Sequence, residues 1–138
     1  MKDCFTTLDQ SANLIKLGLD PNTADGYRKL RDQHLAHVQP CNDFEDFLDK
    51  SKLTRLEVTP CWSGIKLIEL FPVCIGSSCD YWLEVNKNFV GYNIEERKPG
   101  RPFTLIEGEG NTIVDKLVSV AQQLIENEYW NPKDISQF

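Results

Sequence analysis

Residues 80–125 combine a strand–turn–strand pattern with a long apolar helix pattern, and together these restrict the fold more than any other feature. In "DYWLEVNKNFVGYNIEE", apolar residues recur at every second position on both sides of a turn at residues 86–88, which is typical of an antiparallel hairpin. The run "FTLIEG" predicts a third strand of a meander. The next segment, "TIVDKLVSVAQQLIENEYW", is apolar over a wide face, so we expect this helix to pack against the sheet.

Two more helices are predicted earlier in the chain. The segment "TTLDQSANLIKLGLD" begins with Thr7 and Gln10 at capping-box spacing and ends with the stop signal Gly18. The segment "CWSGIKLIELFP" predicts a helix that is capped by Ser63 and buries Ile65 together with its other apolar residues. The terminal proline of that segment closes the helix.

The segments between these helices carry weaker signals. The stretch "DPNTADGYRKLRDQ" is open to a short helix or an ordered loop. The stretch "NDFEDFLDKSK" predicts a helical turn with Phe44, Phe47 and Leu48 on one side. The stretch "LTRLEVTP" indicates a strand that ends at Pro60.

These elements predict an α+β fold in which a small antiparallel meander sheet is packed on one face by two or three helices. The chain has 138 residues, a length that suits one domain. The sequence shows no internal repeat, low-complexity tract or linker. We therefore interpret residues 1–138 as a single α+β domain.

Composition predicts a soluble protein of the cytoplasm. The hydrophobic fraction is 41% and the charged fraction 26%, which are ordinary values for a globular protein. No apolar run approaches the roughly 20 residues of a membrane span, and "MKDCFTTLDQ" lacks the apolar centre of a signal peptide. We expect the five cysteines to be thiols, because the cytoplasm is reducing.

The acidic balance of the chain argues against a nucleic-acid partner. The net charge is −6 and the pI about 4.9, whereas nucleic-acid binding depends on cations that neutralise phosphates. A local basic stretch, "RKPGR", contains Arg97, Lys98 and Arg101. We interpret it as a solvated turn, with a contact for an acidic partner as the alternative.

The stretch "HLAHVQPC" raises the question of a metal site. His34, His37 and Cys41 are ligand types that zinc accepts, and Cys61 would complete a set of four. The spacing lacks the paired close ligands of most structural zinc sites, so we favour a polar loop and expect no bound metal and no cofactor. A Cys41–His37 nucleophile pair and a disulfide within "CIGSSC" are weaker alternatives.

No segment shows the pattern of an active site. The stretch "CWSGI" lacks the first glycine of a nucleophile elbow. The stretch "GEGNT" lacks a phosphate-binding lysine and carries two glutamates that would repel a phosphate. We therefore predict that the protein is not an enzyme.

Aromatic residues of the predicted sheet suggest an interaction surface instead. Trp82 and Phe89 lie on the hairpin face opposite the apolar alternation, and Phe103 begins the third strand. If helices cover only one face of the sheet, these three rings form an exposed patch, which commonly marks an interface. We expect the partner to be another protein or a second copy of this chain, and expect no membrane contact.

Four stretches of the chain resemble a group of small uncharacterised bacterial proteins associated with prophages and other mobile elements of gut bacteria. They are "FTTLDQSANLIKLGLDPNTADGY", "PCWSGIKLIELFP", "DYWLEV" and "GNTIVDKLVSVAQQLIENEYW". The "LGLDPNTAD" turn and the Trp-Ser helix start are the most specific pieces. The group carries no established activity, so the resemblance implies a mobile-element origin and transfers no catalytic residues. The chain differs from the group in its cysteine content and in residues 28–52.

The function hypotheses that follow belong to different classes. The first is a non-enzymatic protein that acts by protein–protein contact through the sheet face. An acidic immunity-like or antitoxin-like protein, which blocks a basic partner, is a specific form of it that the charge permits. The alternative is a metal-binding or redox module that uses the Cys and His residues.

Overall fold

Four α-helices and two antiparallel sheets form the described part of the computed structural model, which covers residues 4–30, 35–36, 43–55 and 57–133. The helices are α1 (Leu8–Leu17), α2 (Phe44–Ser51), α3 (Gly64–Leu70) and α4 (Ile113–Glu126). The strands are β1 (Gly26–Lys29), β2 (Leu35–Ala36), β3 (Val58–Cys61), β4 (Cys74–Ile75), β5 (Tyr81–Val85), β6 (Val90–Ile94) and β7 (Thr104–Glu107). The predicted α+β class, with an antiparallel meander packed against helices, is confirmed.

The ends of α1 are set by the residues that the sequence predicts. The Thr7 side chain accepts from the Gln10 backbone N–H, and the Gln10 side chain accepts from the Thr7 N–H, which completes a capping box. Gly18 takes the left-handed conformation with φ 112°. The N–H of Leu19 then donates to the Leu14 carbonyl at 3.0 Å, which closes the last turn.

Helix α3 also begins where predicted, but one of its apolar residues faces solvent. Ser63 Oγ accepts from the Lys66 N–H at 3.1 Å and caps the helix. The expectation that Ile65 is buried is wrong, because its side chain is 73% exposed. At the start of α3 the helix meets α4 through Gly64, where an added β-carbon would lie 3.3 Å from Leu117, and Ile65 points away from that contact.

The first sheet, in the order β2-β1-β3, corrects two predictions. In the stretch that is open to a short helix or a loop, Pro21–Thr23 form a short 3-10 helix capped by Asp20. Residues 26–29 form a strand instead, because Tyr27 and its neighbours pair antiparallel with β3. Strand β3 does not end at Pro60 but includes it, opposite Tyr27. Among the described strands β3 lies at the edge of this sheet, where a residue without an N–H is tolerated.

A small aromatic cluster covers the first sheet. Tyr27 stacks on Phe47 with ring centres 3.9 Å apart and on Phe44 at 5.7 Å. Val58 of β3 is buried in the same cluster. The predicted helical turn at residues 42–52 is therefore a helix, α2, whose two phenylalanines pack against β1 and β3.

The second sheet has the order β4-β5-β6-β7. The hairpin of β5 and β6 has the predicted alternation, because the pairs Tyr81 with Ile94, Leu83 with Tyr92, and Val85 with Val90 stand directly opposite each other. All six side chains belong to the main hydrophobic cluster. The sequence does not predict β4, a short edge strand that pairs with β5.

Helix α4 packs against the same face of the second sheet and supplies the largest share of the main cluster. Its buried residues are Leu117, Val118, Val120, Ala121 and Leu124. Thr112 caps its N-terminus, and Ile113 in the first turn is exposed rather than buried. No helix within the described ranges has the length and apolar character needed to cross a membrane.

Candidate functional site

The second sheet has one face packed on helices and another, which we call the open face, that carries Trp82. Cross-strand pairing places Cys74 of β4, Trp82 of β5, Asn93 of β6 and Thr104 of β7 side by side. Glu84 follows Trp82 by two residues, so its side chain is on the same face. The open face therefore joins aromatic, acidic and amide side chains in adjacent rows.

Trp82 and Phe103 are exposed aromatic side chains of the open face. Trp82 is 41% exposed, and Phe103, just before β7, is 47% exposed. Both rings line one shallow pocket of about 480 Å³. The other residues of this pocket come from β5, β6 and the turn after it: Leu83, Glu84, Asn93, Ile94 and Glu95. Two of the three aromatic residues predicted as an interaction surface are thus brought together.

Phe89 is also on the open face, but it is only partly exposed. A β-carbon at Gly91 would lie 2.8 Å from the tip of the Phe89 ring, so the ring lies over this glycine. Gly91 is the strand partner of the exposed Glu84, so an added β-carbon at Gly91 would point to the same face of the sheet as the Glu84 side chain. Phe89 therefore points to the same side as Trp82 with less accessible area, and its role in a contact stays a prediction.

A hydrogen-bonded chain of polar side chains crosses the open face. Thr104 Oγ1 donates to Asn93 Oδ1 at 2.7 Å, and Asn93 Nδ2 donates to Glu84 Oε2 at 2.7 Å. Asn93 is only 8% exposed, and such buried networks fix the groups that they join. The sequence does not predict these hydrogen bonds, because they depend on the register of the strands. The period of two predicts only that Glu84 and Trp82 lie on the same face of β5.

The basic turn between β6 and β7 is exposed, as expected, but its cations have partners within the chain. Lys98 Nζ lies 3.3 Å from Asp80 Oδ1, and Arg101 Nη1 lies 3.1 Å from Asp80 Oδ2. The Arg97 guanidinium lies 5.3 Å from the centre of the Phe103 ring, which is within the range of a cation–π contact. The turn is therefore attached to the edge of the open face.

Two ionisable groups of this region have shifted pKa values. A side-chain hydrogen bond with Tyr81 is the main reason that the pKa of Arg101 is raised, so its guanidinium stays charged. Burial raises the pKa of Tyr92 well above its ordinary value, and its hydroxyl donates to the Pro72 carbonyl at 2.5 Å. Tyr92 belongs to the main hydrophobic cluster on the helical side of the sheet, so its shift bears on the stability of the fold and not on the open face.

A disulfide joins Cys74 and Cys79 next to Trp82. The two Cα atoms are 5.1 Å apart, a separation that suits a disulfide. Cys74 is the strand partner of Trp82, and Cys79 lines a small pocket together with it. The expectation that these cysteines are thiols is corrected, because the loop between them returns the chain so that the sulfurs meet.

Only Cys61 of the four alternative metal ligands lies within the described residues. His34, His37 and Cys41 lie outside the described residues, and so does the proposed Cys41–His37 pair. Cys61 ends β3 and is completely buried. In the part of the chain that the structure describes, no group of three His, Cys, Asp or Glu side chains could hold a metal ion. The zinc alternative and the expectation of no cofactor both stay predictions.

The open face has exposed aromatic side chains, hydrogen-bonded polar groups beside them and charged residues around them. Comparison with protein-family models, curated proteins and solved structures finds no match to this chain.

Proposed function

We propose that this protein acts by direct contact with another protein, through the open face of its second sheet. The observation that carries the proposal is the partial exposure of Trp82 and Phe103 side by side in one pocket, on the face opposite α4. Burying the exposed half of each ring would contribute on the order of 1 kcal/mol per ring. Tryptophan is also enriched among residues that dominate binding energy.

We propose further that the protein works without catalysis. The polar side chains of the open face are engaged with each other, from Thr104 through Asn93 to Glu84. This arrangement supports a rigid surface, whereas general acid–base chemistry needs a group that exchanges a proton near the working pH. An acidic immunity-like or antitoxin-like role is the specific form of this proposal that the net charge of −6 permits.

In this proposal the protein comes from a mobile element and works in the cytoplasm. The Cys74–Cys79 disulfide is the feature that tests the location, because stable disulfides are rare in cytoplasmic proteins. Thiol labelling in intact cells measures its state directly. Labelled Cys74 and Cys79 would mean that the disulfide is reduced in the cell and would support the cytoplasm. An unlabelled pair that reacts only after reduction would place the protein in an oxidising compartment.

Sedimentation velocity tests the simplest form of the contact, a dimer of two open faces. We would compare the wild type with Trp82→Ala and with a control, Ile65→Ala, which removes an exposed apolar side chain from α3. A concentration-dependent dimer that is lost in Trp82→Ala and kept in Ile65→Ala supports the proposal.

Two other outcomes have a clear meaning. A dimer that survives Trp82→Ala but is lost in Ile65→Ala would place the contact on the helical side and contradict the proposal. A wild type that stays monomeric at all concentrations would exclude the homodimer, and the proposal would then require a different protein as the partner.

A further inference from the structure

We infer that the pocket between Trp82 and Phe103 binds an arginine side chain from a basic segment of the partner protein; this inference rests on the proposed contact function. The pocket has two aromatic walls and two carboxylates, those of Glu84 and Glu95. A guanidinium suits this combination, because its flat face stacks on an aromatic ring while its N–H groups pair with a carboxylate. A lysine ammonium offers the charge without the planar face.

The charges around the pocket favour a cation from outside the chain. Among the described residues, Glu84 and Glu95 are in no ion pair. Of the basic side chains of the adjacent turn, Lys98 and Arg101 are held by Asp80. Arg97 lies over the Phe103 ring, which leaves Trp82 and the two carboxylates for an incoming cation. The net charge of −6 adds a long-range attraction for a basic partner.

One of the two carboxylates is held in place before a ligand arrives. Thr104 fixes the Asn93 amide, and Asn93 donates to Glu84 Oε2. The other oxygen of the same carboxylate, Oε1, can accept from an incoming guanidinium. Fixing the acceptor in advance reduces the ordering cost of binding.

The chain itself contains an example of the proposed contact. The Arg97 guanidinium lies 5.3 Å from the centre of the Phe103 ring. Trp82 lines the same pocket, and tryptophan is the best of the aromatic side chains as a partner for a cation. A second guanidinium, supplied by the partner, would lie against Trp82 and reach Glu84, which follows it by two residues on the same strand face.

Magnetic resonance of the tryptophan indole N–H groups tests this inference. Isotope-labelled full-length protein would be titrated with a short synthetic arginine-containing peptide and with the same peptide carrying citrulline, the neutral analogue of arginine. Trp62 and Trp130 are internal controls, because both are buried, and the Trp62 indole donates to Thr23 Oγ1 at 2.9 Å. Glu84→Gln would be compared with Glu126→Gln, an exposed residue of α4 with the same loss of charge.

We expect the arginine peptide to shift the Trp82 signal and leave those of Trp62 and Trp130 in place. The citrulline peptide should bind about tenfold more weakly, the size of one charge-assisted contact. Glu84→Gln should weaken binding about fivefold, and Glu126→Gln less than about twofold.

Three results would overturn the inference. Equal binding of both peptides at Trp82 would leave the open face as a contact surface but remove its preference for arginine. Equal effects of Glu84→Gln and Glu126→Gln would reduce the attraction to net charge alone. An arginine peptide that leaves the Trp82 signal unshifted at millimolar concentration would exclude the pocket as an arginine site. The proposed contact function would stand apart from that result, because sedimentation velocity and cross-linking test it separately.

Discussion

Gly91 allows the two strands β6 and β7 to approach each other while the Phe89 ring lies over them. A β-carbon at this position would collide with the Ile106 carbonyl oxygen and would lie 3.1 Å from the Glu107 Cα. Neither backbone atom can move without breaking the pairing of Gly91 with Glu107. Glycine is therefore required at position 91 because the backbone of β7 lies so close to it, and not because of its own backbone angles.

Gly91→Ala should destabilise the protein by about 3 kcal/mol, because the added methyl group forces the sheet backbone apart. The matched control is Gly100→Ala, where φ is 77° but no atom lies within 4 Å of the added β-carbon. That change should cost only about 1 kcal/mol, from the left-handed backbone. Chemical denaturation measures both; a Gly91→Ala loss no larger than that of Gly100→Ala would show that the strands are not packed as described.

Tyr92 makes the stability of the fold depend on pH at the alkaline end. Burial raises the pKa of its phenol above the ordinary value of 10.0. The unfolded chain therefore loses this proton first as the pH rises. The stabilising contribution is complete below the unfolded pKa and decreases above it, until the folded phenol also ionises.

Tyr92→Phe separates this effect from that of other groups. Near pH 8 the variant should lose about 1 kcal/mol, because the hydrogen bond to the Pro72 carbonyl is removed. From about pH 10 to about pH 11 the wild type should lose up to roughly 1.4 kcal/mol relative to the variant. Urea denaturation across this range measures the difference, and a gap that stays constant would contradict the burial of the phenol.

Among the helices and strands, the sequence predicts the ones that have a local hydrophobic or capping pattern. It does not predict the strands whose conformation comes from pairing with a distant strand. The hairpin of β5 and β6 has a clear period of two, and α1 and α4 carry caps and apolar stripes, so all of them are predicted. Strand β1 has three consecutive buried residues and no alternation. Its strand conformation comes from pairing with β3, far along the chain, and a short sequence window does not contain that information.

The candidate site divides in the same way. Alternation alone places Trp82 and Phe89 on the face opposite the apolar positions, and Phe103 is predicted from its place before the third strand. The contact of Asn93 with Glu84 and Thr104 requires the register of three strands, including the irregularity between Tyr92 and Asn93. Sequence periodicity does not determine a register shift of this kind.

The packing of α4 on the second sheet is tested by Leu117→Ala. Leu117 has no exposed surface and lies in the main cluster, so its truncation should leave a cavity and cost about 2–5 kcal/mol. Ile113→Ala, in the exposed first turn of the same helix, should cost less than about 1 kcal/mol. Equal losses for the two variants in chemical denaturation would mean that α4 does not pack in this orientation.

At the scale of the whole molecule, the second sheet separates two roles. One face joins α4 to the main hydrophobic cluster, and the other presents Trp82 and Phe103 beside the carboxylates of Glu84 and Glu95, which form no ion pair with another described residue. A substitution on the open face should therefore change contact with little effect on folding, and a substitution on the helical face should do the reverse.

Site-specific photo-cross-linking in the cells that express the protein tests whether the open face is the contact surface. A benzophenone amino acid would replace Phe103 on the open face, or Ile65, the exposed control on α3. We predict a discrete cross-linked product, with a second copy or another protein, from position 103 and none from position 65. Trp82→Ala in the same chain should remove that product. A product from position 65 alone, or one from position 103 that persists in Trp82→Ala, would contradict the claim that the open face is the contact surface.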